Sequence, residues 1–225
     1  LKASKRLSDY MHFAIKEKKE NIWIAQREGR AKDSDDHTQK GILQMMSMGG
    51  EGSIIERLKQ LHLVPLAISY EYDPCDFLKA KEFQQKRDNV EWRKGPTDDL
   101  VSMQTGIFGY KGHVHYQATP CLDEYLDRLS PDMSKQDIYN KVAAHIDHEI
   151  HCHYRLYPGN YVALDLLEGT TTYASEYTEE DKAKFEQYIT GQLEKIDLPN
   201  KDEAFLRERL LTMYANPLRN YLAAR

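Results

Sequence analysis

Glu28, Gly29 and Arg30 have the chemistry of an anion-binding turn. A guanidinium offers a planar fork of donors that matches a phosphate bidentately. A glycine lets the backbone turn sharply or approach a ligand closely. A carboxylate can orient the arginine or accept a hydrogen bond from a substrate hydroxyl. The three residues follow Asn21-Ile22-Trp23-Ile24-Ala25-Gln26, a short aromatic and β-branched run that reads as a buried strand. The turn would then stand at the C-terminal end of a strand, the edge at which open α/β sheets bind ligands. A surface turn with an ordinary Glu–Arg pair fits the same residues, and spacing alone leaves both readings open.

A second group is histidine-rich. His145, His148, His151 and His153 fall on one predicted helix beside Asp147 and Glu149. Spacing of three puts successive imidazoles on adjacent turns, where two of them could hold Zn²⁺. The run His148-Glu149-Ile150-His151 lacks the spacing of a zincin motif. The competing reading is a polar helix face opposite the stripe Ile138, Val142, Ile146 and Ile150. His113 and His115 alternate on a predicted strand and share one face, as structural or ligand-lining residues. Asp33, Asp35 and Asp36 mimic a fragment of a calcium loop, but the glycine and terminal glutamate of such a loop are missing, so they read as a solvated loop. Lys16, Lys18 and Lys19 suit the C-terminal dipole of a helix and could also face anionic lipid. Met45, Met46 and Met48 read as core filling.

These groups need elements to position them. Helical spacing of Leu7, Met11, Ala14 and Ile15 predicts a helix over 3–20, and two shorter helices follow at 42–48, closed by Gly49-Gly50, and at 54–61. Leu63–Tyr72 reads as a second strand, with Pro65 near its start, and Lys111–Gln117 as a third. Helices are predicted from Asp73-Pro74 to Arg87 and, behind Thr97-Asp98-Asp99, to Gly106. Beyond Pro120 the pattern is helical. Ser134/Asp137 and Thr178/Asp181 look like capping boxes, Phe185, Ile189, Leu193 and Ile196 form a stripe, and a last helix runs from Asp202 to Tyr214, before Pro217. The expected fold class is α/β, a sheet with flanking helices in the first half and an α-helical C-terminal part. The domains would be residues 1–120 and 121–225.

The chain has 225 residues, and its 31 Lys and Arg against 36 Asp and Glu give a net charge of −5. That excludes a chain-wide attraction to nucleic acid, so no nucleic-acid partner is expected. Cys75, Cys121 and Cys152 are odd in number and far apart, which argues against a disulfide framework and for a reducing compartment. No apolar run has the length of a membrane span. Leu1 opens the chain inside a helical pattern, which carries the expectation of an upstream piece.

Ile24-Ala25-Gln26-Arg27-Glu28-Gly29-Arg30 resembles the third motif of the glycerol-phosphate and lysophosphatidate acyltransferases, Phe-Pro-Glu-Gly-Thr-Arg or a Glu-Gly-X-Arg variant. Leu63-Val64-Pro65-Leu66-Ala67-Ile68 resembles the family's fourth motif, a Val-Pro-centred strand. Motif support covers residues 3–72. The resemblance implies an O-acyltransferase of phospholipid synthesis that moves a fatty acyl group from acyl carrier protein or coenzyme A to a hydroxyl of a glycerol phosphate or lysophospholipid. Glu28, Gly29 and Arg30 would hold the acceptor's phosphate. It implies no metal or redox cofactor, and a cytoplasmic protein with peripheral contact at the inner face of the membrane. The family's catalytic box is His-x4-Asp, whose histidine acts as general base and whose aspartate orients the imidazole. None of the nine histidines here has Asp five positions on, nor is the second motif present. The resemblance therefore carries no catalytic residue onto this chain, which is expected to be an N-terminally truncated member and inactive by itself. Two other classes stay open: a metal-binding protein or metal-dependent hydrolase using the His145–His153 helix, and a non-catalytic lipid-binding protein.

Overall fold

The computed structural model describes residues 2–27 and 31–225; Leu1 and the turn Glu28, Gly29 and Arg30 lie outside the described residues. The chain is 57% helical, with one two-stranded antiparallel sheet among the described residues. Its elements run α1 (Lys2–Lys16), α2 (Lys40–Met46), α3 (Ile54–Lys59), β1 (Leu66–Tyr70), α4 (Asp76–Asp88), α5 (Asp98–Phe108), β2 (Val114–Ala118), α6 (Asp123–Asp127), α7 (Lys135–Cys152), α8 (Pro158–Glu168), a 3₁₀ turn (Ala174–Glu176), α9 (Glu179–Glu194) and α10 (Glu203–Ala223). They gather into two compact units that do not follow sequence order. Unit 1 takes residues 1–30, 36–67 and 117–153, and unit 2 takes residues 31–35, 68–116 and 154–225.

In unit 1, α2 packs against α1, α3 and α7, and α3 against α6 and α7. The expected stripe of α7 is its core face: Ile138, Val142, Ile146 and Ile150 are all buried. Each such side chain contributes roughly 1.5–3 kcal/mol by leaving water. Ser134 caps α7 by accepting from Asp137 N–H at 3.1 Å, which satisfies a donor that the first helical turn leaves open. The turn after α2 closes on α1. Ser8 is fully buried, donates to Met46 O (2.7 Å) and accepts from Gly49 N–H (2.7 Å). Gly50 sits there at φ +75°, where a Cβ would stand 2.5 Å from the His12 ring.

In unit 2, α10 packs on α8, α4 and α9 around a core that includes Val162, Phe185, Ile189, Leu206, Leu210 and Leu218. The Thr178/Asp181 capping box forms in full at the start of α9. α8 begins with Pro158 in its first turn, where the missing N–H costs nothing. It ends on Gly169 in the left-handed region, φ +64°. Asp165 of α8 accepts from Thr170 Oγ1 (3.0 Å), Tyr173 N–H (3.1 Å) and Tyr177 OH (2.9 Å), which ties down the segment leading to α9.

β1 and β2 pair antiparallel. Thr119 N–H donates to Pro65 O (3.0 Å) and Glu71 N–H to His113 O (2.9 Å), a register that sets Ile68 opposite Tyr116. Pro65 precedes the first strand residue, so its missing N–H costs no ladder bond.

Three expectations need correction. Asn21–Gln26 is not a strand: Trp23 is 74% exposed, and Gln39 N–H to Gln26 O (2.9 Å) is the backbone bond that the segment makes. An extended run becomes a strand only where a neighbour supplies a ladder, and none does so among the described residues. The expected sheet with flanking helices is accordingly reduced to the β1–β2 pair in a mostly helical protein. Finally, α10 does not stop before Pro217 but runs through it to Ala223. Proline withdraws one helical hydrogen bond, yet Tyr214, Ala215 and Leu218 on either side are buried, and their packing carries the helix past the break.

Candidate functional site

The turn that the sequence singles out, Glu28, Gly29 and Arg30, lies outside the described residues; what holds its two ends does not. In unit 1 the ends meet at a neck. Gln39 N–H donates to Gln26 O (2.9 Å), and Arg27 Nη1 stands 3.7 Å from Asp36 Oδ1. The returning arm is fastened to α7. Thr38 N–H donates to Asp147 Oδ1 (2.7 Å), and His37 Nδ1 stands 3.2 Å from Asp147 Oδ2. The buried His151 donates from Nε2 to Asp36 O (3.0 Å), a bond that fixes its tautomer, and its ring meets His37 edge-on at 5.5 Å. Asp147 and His151 are four apart, so one face of α7 presents both.

In unit 2 the residues after the turn are also pinned. Ala31 is buried. Asn216 of α10 donates to Asp33 O (2.8 Å), and Asn220 donates to Asp35 Oδ1 (3.0 Å). Lys32 pairs with Glu82 of α4, which Lys86 also holds at 2.9 Å. Burial, and next the like charge of Lys86, lower the Lys32 ammonium to about 8. In the acidic run, Asp35 N–H donates to Asp33 Oδ1 (3.2 Å), and the carboxylates of Asp35 and Asp36 are met by Asn220 and Arg27.

The histidines of α7 do not converge. His145 stacks on Tyr125 with ring centroids 3.7 Å apart, and burial lowers its pKa against the pull of Glu149. His148 lies against Cys152 Sγ, 3.8 Å from Nδ1. His153 Nδ1 is bonded to Glu149 O at 2.7 Å, and His151 serves the arm just described. Among the described residues, the group whose ligand atoms do lie together, all within 4.8 Å of one another, is His62, Cys121 and Asp123. His62 Nδ1 is 2.6 Å from Asp123 Oδ2. Burial raises the Cys121 thiol above its usual range. His113, just before β2, pairs with Glu71 Oε2 at 2.7 Å and stacks on Tyr157.

One carboxyl is strongly perturbed and has no access to solvent. Asp76, at the start of α4 in unit 2, is fully buried. It accepts from Tyr214 OH (2.6 Å), Tyr188 OH (2.8 Å), Gln192 Nε2 (2.7 Å) and Phe77 N–H (2.5 Å). A carboxyl so enclosed joins α4, α9 and α10. No helix among the described residues is long and apolar enough to cross a membrane. Searches against protein-family models, curated proteins and solved structures find no match to this chain.

Proposed function

We propose that this chain belongs to an O-acyltransferase of phospholipid synthesis, of the glycerol-phosphate or lysophosphatidate type, in which Glu28, Gly29 and Arg30 bind the acceptor's phosphate. The observation that carries the reading is the order of its motifs: Glu-Gly-Arg after an apolar extended run, then a Val-Pro step leading into a strand. The pinned ends of the turn support it. A loop that binds an anion by backbone and guanidinium must be pre-organised, because a loop that orders only on binding gives up affinity. Within unit 1, Asp36 and Thr38 are tied to α7, and within unit 2, Lys32 and Asp33 are tied to α4 and α10.

On this reading Arg30 grips the phosphate as a fork, Glu28 orients that fork, and the acyl donor is acyl-CoA or acyl carrier protein. The reading calls on no metal or redox cofactor, and it places the protein in the cytoplasm, in peripheral contact with the inner face of the membrane. It also needs a general base for the acceptor hydroxyl. No histidine of this chain is followed by Asp at the fifth position, so a His-x4-Asp pair would have to come from residues outside Leu1–Arg225.

The test is acyl transfer by the full-length gene product to glycerol 3-phosphate and to lysophosphatidate, with both donors. Arg30→Ala should raise acceptor KM and lower kcat/KM by about tenfold or more, the worth of a charge-assisted hydrogen bond. Unchanged acceptor kinetics would remove Arg30 from the site. A full-length product without acyl transfer to either acceptor would sink the assignment.

A further inference from the structure

A groove of about 940 Å³ opens in unit 1 between α1, the turn after α2, α3 and the start of α7. Lys2, Lys5, Arg6, Arg57 and Lys135 line it against a single acid, Asp9, which Lys5 already holds one helical turn away. Lys2, Arg6, Arg57 and Lys135 have no carboxylate at ion-pair distance among the described residues. The chain as a whole carries −5, so this is a local inversion of sign. Like charges gathered without counter-ions repel one another and attract anions.

Arg57 is the best-placed receptor. Its Nη1 donates to Ser47 O (3.2 Å), while its Nε is shielded from solvent and has no partner. The guanidinium is thus anchored but not neutralised. Beside it the Tyr139 hydroxyl and Ser47 Oγ share a 2.6 Å hydrogen bond that fixes the phenol ring, and Met48 and Ile54 add apolar wall. The groove is broad and open to solvent, and it exceeds what one phosphate fills.

We propose that this groove binds an anion with two linked phosphates and an apolar or aromatic arm. The phosphates sit among Arg6, Arg57 and Lys135, and the arm lies against Tyr139 and Met48. The site shares no residue with Glu28–Arg30 and does not rest on the acyltransferase reading.

Titration calorimetry on this chain, with pyrophosphate and with ADP as probes, tests it. One saturable site is expected, tighter for ADP, with Kd rising as salt is added. The double variant Lys5→Gln/Arg6→Gln, on an exposed helix face, should weaken both probes about tenfold, and Arg57→Gln at least as much. Lys184→Gln, an exposed cation of α9, should leave binding unchanged. No saturable binding, equal loss in Lys184→Gln, or full binding in the double variant overturns the proposal, and pyrophosphate binding as tightly as ADP overturns the apolar arm.

Discussion

Replacing Asp76 by asparagine should flatten the dependence of unit 2's stability on pH. Burial pushes the Asp76 carboxyl up from 3.8 to about 7, against the hydroxyls of Tyr214 and Tyr188, and the charge of Asp73 adds to the rise. An unfolded chain gives up that proton near 3.8, whereas the folded chain keeps it to about 7. The folded state therefore binds the extra proton in that window, and stability falls as pH rises through it. At about 1.4 kcal/mol per unit, the difference is about 4 kcal/mol, present in full below 3.8 and gone above about 7. Between pH 5 and pH 8 the parent should lose about 3 kcal/mol of unfolding free energy from this group, levelling off above neutrality. Asp76→Asn keeps the shape and an acceptor for Gln192 and Phe77 N–H, and it cannot ionise. Urea titrations followed by far-ultraviolet circular dichroism, at several pH values on both chains, give the difference directly, because other titrating groups contribute equally to each. A variant that loses as much stability as its parent would show that the carboxyl is not the source and that its burial has been misjudged.

Two glycines should respond with opposite signs to the same change. Gly50→Ala forces a Cβ into the left-handed region and within 2.5 Å of the buried His12 ring, so it should cost more than the roughly 1–2 kcal/mol of the backbone alone. Gly41→Ala, inside α2 with nothing within 4 Å of the new methyl, should stabilise by about 0.5–1 kcal/mol. Thermal melts of the two variants that moved together would refute the placement of the turn after α2. Ile189→Ala, at a fully buried position of α9, should cost about 2–5 kcal/mol in denaturant titration, and a cost below 1 kcal/mol would contradict the core described for unit 2.

What the sequence made legible follows from the range of the forces involved. A helix is written locally, so the stripe from Ile138 to Ile150 and the Thr178/Asp181 box announced α7 and α9 within a few residues. A strand is a relation between two segments. Leu66–Tyr70 found its ladder in Val114–Ala118, but Asn21–Gln26, equally apolar and β-branched, found none among the described residues. Pro217 obeys a local rule that says stop, and the burial of Tyr214 and Leu218, which no window around Pro217 encodes, overrides it. The candidate turn divides in the same way. Glu28, Gly29 and Arg30 can be read as chemistry from their types alone, whereas the residues that hold the described segments after them, Asp147 and His151 within unit 1 and Asn216 and Asn220 within unit 2, are far along the chain. Spacing left the α7 histidines open between zinc ligands and a polar helix face, because it names no partner far along the chain. The cationic groove is the extreme case. Lys2, Arg6, Arg57 and Lys135 form no run, and the chain's net charge has the opposite sign. Only folding brings them together, so a site made by long-range packing leaves no trace in composition, and its affinity for anions should vanish when the chain unfolds even though every charge remains.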